Sequence, residues 1–590
     1  MNITPNKLTI SQLFTLQNEQ FIIPAYQRRY AWGYNQVAAL FDDIDMLLEN
    51  DNHLFGMLII HTGPHHGGLN KVELVDGQQR ITTLTLLLNA IQKRYFELGN
   101  KDKASDIKKM LSCRDTDDQV ENKLVLGDLD ADDYAKLLAG DIENVKNRQL
   151  VDASNWFDEW LLEYEMVDLN KFYYKLTNVA IVIRLDVTIA QDAYKLFETI
   201  NNRGLRLTAT DIIKNFLLGH AAKLEKVTLE NVKSLWAEII VNLDGIYTDD
   251  FFRQYMCSII QRKIPRSKVV VEFKKWYFNR VKEANVLGES LYFSGLENTD
   301  EDSEDEDIEI SVNGTATYVD EKVSIIDILK DIREASKVYH KVVFEKFESK
   351  VINRHINNLN RILSVPTYIY LIHLFQKGLP TKVIVDVLKV LEIFMLRRHI
   401  CESRTSEHDD IFAKLIPIEG ADYVQAVKDY LVEHLPDDVD FEDSIPKYDF
   451  RGILINRAKY MLESVEYHLN GNTGEFSVNA GEEVHLEHII PETITTKKSK
   501  GEFGDWEEYL GNNSKSLHKK HVNKIGNMTL FAGFLNIGAS NNPFGKKKPE
   551  YKKSSLKITQ RLAEYNDFKF KHVGDRGKEL AEIALKIWKF

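Results

Sequence analysis

Cysteine is nearly missing from this chain: three in 590 residues, Cys113, Cys257 and Cys401, far apart in sequence. That excludes a disulfide framework and any local CxxC zinc knuckle, and it suits a reducing cytosol. No uninterrupted apolar run of about 18 residues occurs, so no bilayer span is expected. The start, MNITPNKLTISQLF, has no basic stretch followed by an apolar one and does not read as a signal peptide. No fixed-period repeat is visible. Positive charge is also short overall, at a formal net of -13, which excludes a protein coated in DNA-binding surface. These absences predict a cytoplasmic protein with no membrane partner.

The average conceals an asymmetry. Residues 511–590 hold 17 Lys+Arg against 6 Asp+Glu, a net of +11, while the rest of the chain carries -24. Two readings stand: a phosphate-backbone ligand at this end, or a solvated lysine-rich surface. At 590 residues the chain is too long for one core, so three or more domains are expected.

Local patterns place the motifs. FIIPAY (21–26) is a short apolar run closed by Pro24, and NQVAALFDDIDMLLEN (35–50) has helical spacing. LFGMLIIHT (54–62) and KVELV (71–75) read as strands, separated by the loop GPHHGG, and ITTLTLLLNAIQKRYFEL (81–98) as a strong helix. A third strand, VAIVIRLDV (179–187), precedes the helix AQDAYKLFETIN (190–201). Thr208 and Asp211 fit a capping box before IIKNFLL. Residues 220–470 are mainly helical in pattern, interrupted by the acidic run ENTDEDSEDEDIE (297–309), read as a disordered insertion. NGNTGEFSVNAGEE (470–483) reads as a linker or entry loop. FMLRRHICESRTSEHDDIFAKL (394–415) is expected to begin the scaffold of the last part.

Three segments suggest one N-terminal site: IPAYQRRYAW (23–32), VDGQQRITTL (75–84) and FETINNRGLRLTATDIIKN (197–215). A strand ending at Asp76-Gly77 turns sharply, because glycine tolerates the backbone angles required. The following helix then points free N–H groups and its positive dipole end into the turn. Arg80 offers a cationic fork for phosphate oxygens, and Gln78 and Gln79 can bridge to sugar, base or water. Arg28 and Arg203-Gly204 could add phosphate contacts. The alternative is a structural Asp76–Arg80 ion pair closing the turn. Tyr26, Tyr30 and Trp32 are either packing or base-stacking residues.

At the other end, VHLEHIIPET (484–493) is followed by KIGNMTLFAGFLNIGASNNPFGKKKPEY (524–551). Phosphodiester cleavage needs a general base for water and a divalent cation at the leaving oxygen. Glu487 and His488 are adjacent, so on a strand they face opposite ways, and a bend near Pro491 lets both serve one phosphate. Mg²⁺ or Mn²⁺ prefers oxygen ligands, which Glu487 and the carbonyl oxygen of Asn536 can supply. A strand-end His-Pro turn is the plain alternative.

The last segment resembles an HNH, or His-Me finger, nuclease, with the pattern (D/E)HxxP, N, N, K at Glu487-His488-Ile489-Ile490-Pro491, Asn527, Asn536 and Lys546–Lys548. The resemblance implies His488 as general base, Glu487 and Asn536 as metal ligands and Asn527 as the residue pinning the loop. Asn541 and Asn542 leave the second ligand ambiguous. His485 is either a further metal contact or a strand-surface histidine. Lys546, Lys547 and Lys548 are expected on DNA phosphates.

Taken together, the two ends resemble the GmrSD-type modification-dependent (type IV) restriction endonucleases. Ile213 departs mildly from a leucine in the third N-terminal signature. The resemblance implies an α+β, multidomain chain: a ParB/sulfiredoxin-like domain over 1–220, a helical middle over 221–480 and a C-terminal ββα-metal domain over 481–590. It implies nucleoside triphosphate binding at Tyr26, Gln27, Arg28, Asp76, Gly77, Gln78, Gln79, Arg80, Asn201 and Gly204, with Asp76 as that site's catalytic residue. The implied activity is NTP-regulated, metal-dependent nicking or cutting of modified double-stranded phage DNA by an NTPase-coupled enzyme, as a possible homodimer. Two alternatives stay open: an interaction module with an inactive nuclease half, or an NTPase whose hydrolysis is the effector.

Overall fold

The apolar runs near the N-terminus become strands of one mixed sheet in the computed structural model. It describes residues 3–16, 18–48, 53–63, 68–115, 117–201, 208–287, 322–472, 476–478, 483–494, 505–539 and 541–590. The strands are β1 (Ile3–Thr9), β2 (Glu19–Ile22), β3 (His53–His61), β4 (Asn70–Asp76), β5 (Ser112–Arg114), β6 (Val120–Asn122), β7 (Leu124–Val125) and β8 (Ala180–Val187). Six form a sheet in the order β1-β8-β3-β4-β2-β7, while β5 and β6 pair separately. β8 runs parallel to β3 and antiparallel to β1. The near-continuous burial of β8 follows from this central position.

β1 is not anticipated by the apolar pattern. It carries Pro5, which an edge strand tolerates because one side needs no ladder partner. β2 ends before Pro24 and begins at buried Glu19, whose carboxylate accepts both Arg184 terminal nitrogens at 2.6 and 2.7 Å. Leu58, Ile60, Val72, Leu74 and Val182 join Ile81, Leu84 and Leu88 of the helix Gln78–Glu97 in one core. Gly77, at φ +95°, makes the strand-to-helix turn, and a Cβ there would lie 2.3 Å from Leu58 Cδ2. The helix Ala209–Ala221 starts as expected at Thr208, whose hydroxyl accepts the Asp211 N–H.

The chain divides into two compact units, Met1–Met256 with Pro265–Lys337, and Cys257–Ile264 with Val338–Phe590. The helices of 221–480 are shared between these units rather than gathered into a middle domain of their own. Helical content over 220–470 agrees with the pattern. The acidic run 297–309, the loop 64–67 and part of 470–483 lie outside the described residues. Among the described residues, no helix is long and apolar enough to cross a membrane.

The second unit is mostly helical. Buried Glu392 on the helix Thr381–Ile400 accepts hydrogen bonds from His355, Asn358 and Tyr460, which ties three helices together. Its sheet is one antiparallel pair, β9 (Val484–His488) and β10 (Met528–Ala532), with Glu487 opposite Thr529 and His488 opposite Met528. The helices Gly533–Ala539 and Phe544–Lys553 follow β10 directly.

Candidate functional site

Alternation along β9 puts His485 and Glu487 on one face and His488 on the other. His485, Glu487, Gly533, Asn536, Ile537 and Asn541 wall a cavity of about 450 Å³. The structure thus brings Glu487 and Asn536 together, and it adds His485, which the sequence left between two readings. The His485 ring lies so close over Gly533 that a Cβ there would come within 2.9 Å of its Nε2. Asn541 contributes its backbone carbonyl to Trp506 Nε1 at 2.9 Å.

Glu487 is buried, and its Oε1 accepts Lys547 Nζ at 2.6 Å and Tyr551 OH at 3.4 Å. Burial pushes its carboxyl up, against the pull of Lys547, and burial pushes the Lys547 ammonium down. Lys547 also donates to the His488 carbonyl at 3.0 Å. This corrects the expectation for the lysine run. Consecutive helical residues point about 100° apart, so only Lys547 turns inward beside Phe544 and Tyr551, and it is fully buried rather than available to phosphate. Lys546 is exposed, and Lys548 donates to the Tyr565 carbonyl at 2.8 Å.

His488 closes β9. Its Nε2 is buried without a hydrogen-bond partner and lies 3.8 Å from Glu492 Oε1. Burial pushes the imidazole below its usual value, with Glu492 working the other way. The turn beyond it is held by Asn527, fully buried, whose Oδ1 accepts the Ile490 N–H at 2.8 Å. Its Nδ2 donates to the Ile490 and Val522 carbonyls, both at 2.9 Å. Arg576 donates to the carbonyls of Ile525, Gly526 and Met528, fixing the other side of that turn.

The cavity offers a carboxylate, an amide and an imidazole as donors. No described residue donates to Glu487 Oε2, and the Asn536 amide and the His485 ring share its walls. They number two acidic or imidazole groups and one amide. Among the described residues, no group of three or more His, Cys, Asp or Glu is placed to hold an ion.

In the first unit the expected contacts are largely turned inward. Gln79 accepts the Ala31 N–H at 2.7 Å and donates to the Arg29 carbonyl at 3.0 Å, so it braces the 29–31 loop instead of facing a ligand. Arg80 leaves the turn and lies on β3. Its Nη1 donates to the Met57 carbonyl at 3.1 Å, in a slot left open by Gly56, where a Cβ would come within 2.8 Å of Cζ. A register shift in β3 between Leu54 and Met57 accompanies this arrangement. Tyr26 and Tyr30 are buried packing residues, bonded to Glu73 and to Thr83.

Gln27 links two segments, donating to the Val75 carbonyl at 2.9 Å and accepting Lys214 Nζ at 2.7 Å. Lys214 pairs with Asp211 at 3.5 Å, and burial pushes its ammonium down against the support of Asp211 and, more weakly, Asp76. Burial works against the Asp211 carboxylate, but Lys214 and Arg28 hold it below its usual range. Arg28 is exposed, whereas its neighbour Arg29 is bound by Asp130, Asp133 and Asp244. Lys214 escaped the sequence reading. The available signal was a lysine inside the apolar run IIKNFLL. Gln78 Oε1 is buried without a partner beside a cleft of only about 10 Å³, which Gln27, Arg28 and Thr82 also line. That volume holds about one water, so a nucleotide does not fit this cleft. Gly204 and the Asn201 side chain lie outside the described residues.

Comparison with curated proteins gives no match. Two family models do match: the N-terminal domain of the GmrSD restriction endonuclease over residues 10–218, and the C-terminal domain of GmrSD restriction endonucleases over 435–583. The first spans β2 to β8 and the Gln27–Asp211–Lys214 cluster, and the second spans the β9–β10 cavity. With both halves matched in order, the chain belongs to the GmrSD restriction endonuclease family.

Proposed function

We propose that the β9–β10 region is a metal-dependent DNA endonuclease site of the HNH, ββα-metal kind. One observation carries the reading. Glu487 and Asn536 wall the same cavity, and the residue after Glu487 is a histidine with an unpartnered, buried ring nitrogen. Glu487 Oε2, Asn536 and His485 are the groups to hold Mg²⁺ or Mn²⁺, which when bound supplies charge to the phosphate and the leaving oxygen. His488, favoured in its neutral form by burial, accepts a proton from water at Nε2. Asn527 fixes the backbone that sets the ring's position. Lys547 holds Glu487 Oε1 and the His488 carbonyl in one frame.

The substrate we propose is modified double-stranded DNA of phage origin, on the strength of the family assignment and the basic C-terminal stretch. Plasmid nicking by purified protein with Mn²⁺ tests the reading. His488→Ala should abolish nicking without lowering the melting temperature, and full nicking by the folded variant would overturn the assignment.

A second reading concerns the first unit, where we propose a nucleoside triphosphate on the outer side of the Asp76–Gly77 turn. The supporting observation is exposed Arg28, which shares a cleft wall with Gln78 at a helix start that no described side chain caps. Calorimetry with GTP and ATP on wild type and Arg28→Ala tests it. Equal affinity in both proteins would remove the site.

A further inference from the structure

The helix Gly533–Ala539 leaves β10 and supplies Asn536 to the cavity. Its inner residues, Leu535 and Ala539, are packed in the core of that region. Its outer face is apolar where solvent would favour polar groups: Phe534 is 76% exposed and Ile537 82%. They are the most exposed phenylalanine and isoleucine among the described residues. Three positions apart, they sit on one side of the helix. Ile537 also walls the cavity beside Glu487. An isolated exposed apolar residue needs no explanation, but a paired one at the mouth of a candidate active site does.

We propose that Phe534 and Ile537 form an apolar wedge that enters the base stack of duplex DNA at the step being cut. The proposal rests on the cavity being the cleavage site. Charge selects the occupant. Residues 511–590 carry a net +11, and Lys515, Lys519, Lys520, Lys546, Lys552 and Lys553 are all exposed. Lys546 and Lys552 stand on the helix Phe544–Lys553, which packs against Gly533–Ala539, so a polyanion held there lies beside the apolar pair. Inserted apolar side chains unstack a base step and kink the duplex there, which costs energy that depends on the step. The wedge therefore makes cutting sensitive to how easily the local stack opens, and base modification alters that property. A second copy of this chain is the competing occupant, and the net +11 of residues 511–590 disfavours bringing two such ends together.

The test uses full-length protein and duplexes carrying 2-aminopurine, whose fluorescence rises on unstacking. With Ca²⁺ in place of Mn²⁺, wild type should brighten the probe on binding, and Phe534→Ala should not. With Mn²⁺, Phe534→Ala should cut an intact duplex about ten- to a hundredfold more slowly. On a duplex with an abasic site at the cut position its rate should return to within a few-fold of wild type, and Phe534→Leu should keep most activity on both. Brightening without cleavage by wild type would show that the two side chains unstack DNA but would end the nuclease reading, and with it the placing of the wedge at a cut step. Cleavage with no brightening, or equal cutting of intact duplex by Phe534→Ala, would end the wedge. Loss of self-association in Phe534→Ala with unchanged brightening would assign the face to a second copy and overturn the proposal.

Discussion

The Lys547 ammonium lies 2.6 Å from Glu487 Oε1, with both side chains buried. Among the described residues Glu487 is the one carboxylate on the cavity wall, and Lys547 is its ion-pair partner. Removing one member of a buried pair leaves the other charged or forces it to change protonation, which costs more than the pair itself contributes. Lys547→Met should destabilise the second unit by about 3–5 kcal/mol. The double variant Lys547→Met/Glu487→Met should recover part of that loss, since an apolar replacement needs no counter-charge. Urea unfolding of both variants measures the difference. A single variant as stable as wild type would mean the pair contributes little.

Much of this was legible and the reason for the rest is geometric. β3, β4, β8 and the helix Gln78–Glu97 announced themselves because apolar residues recur with the period of one element. β1 did not, because an edge strand with Pro5 keeps few apolar positions. The resemblance to the HNH pattern, rather than spacing alone, singles out Glu487, Asn527 and Asn536, and the β9–β10 hairpin brings Glu487 and Asn536 to one cavity. The inward lysine of a three-lysine run could not be chosen by composition. It could be chosen by period, since Phe544, Lys547 and Tyr551 recur at three and four positions, the spacing of one helix face. Arg80 and Gln79 were misdirected because the partners that claimed them, Met57 and the 29–31 backbone, are remote in sequence.

Gly77 offers a test of the strand-to-helix turn. Its φ of +95° is unfavourable for any residue with a Cβ, and that Cβ would meet Leu58 Cδ2 in the core. Gly77→Ala should cost about 1–2 kcal/mol from the backbone alone, and more because Leu58 must shift. Gly140, at φ +82° with open space around it, isolates the backbone cost. Thermal unfolding should therefore rank Gly77→Ala below Gly140→Ala. Equal melting temperatures would show that Leu58 moves freely.

Acid should loosen the second unit through buried His408 and half-buried His399. His399 and His408 meet edge to face with ring centroids 5.5 Å apart, and neither Nε2 has a partner. Burial, then Arg457 and His408, press His399 down to about 3. Burial and Arg398 bring His408 to about 4, although Asp409 and Glu407 act the other way. Both folded values lie below the ordinary histidine value of about 6.5, so between them the unfolded chain binds more protons. Their contribution is complete above about pH 6.5 and falls as pH drops toward 4 and 3. Melting temperatures at pH 7 and 5.5 should differ in wild type and differ less in His399→Phe. An identical drop in both proteins would assign the acid sensitivity to other groups.

The two adjacent residues at the end of β9 should fail in different ways, and the difference separates metal binding from proton transfer. Glu487 faces the cavity with Asn536 and His485, so Glu487→Gln removes the charged donor while keeping an oxygen for Lys547. Mn²⁺ affinity measured by calorimetry should fall at least about tenfold, as it does when ligand shells are damaged, and excess Mn²⁺ should restore part of the nicking. His488 is absent from the cavity wall and its Nε2 is unpartnered, so His488→Ala should bind Mn²⁺ as wild type does. Its nicking should drop by about 10²–10⁴-fold, the usual worth of a positioned general base. Excess metal should not help, but added imidazole should, because the missing group is a proton acceptor of that chemistry. Stability distinguishes both outcomes from a merely structural histidine, whose loss would lower the melting temperature along with activity. If His488→Ala instead lost Mn²⁺ binding and Glu487→Gln kept it, the two roles would have to be exchanged.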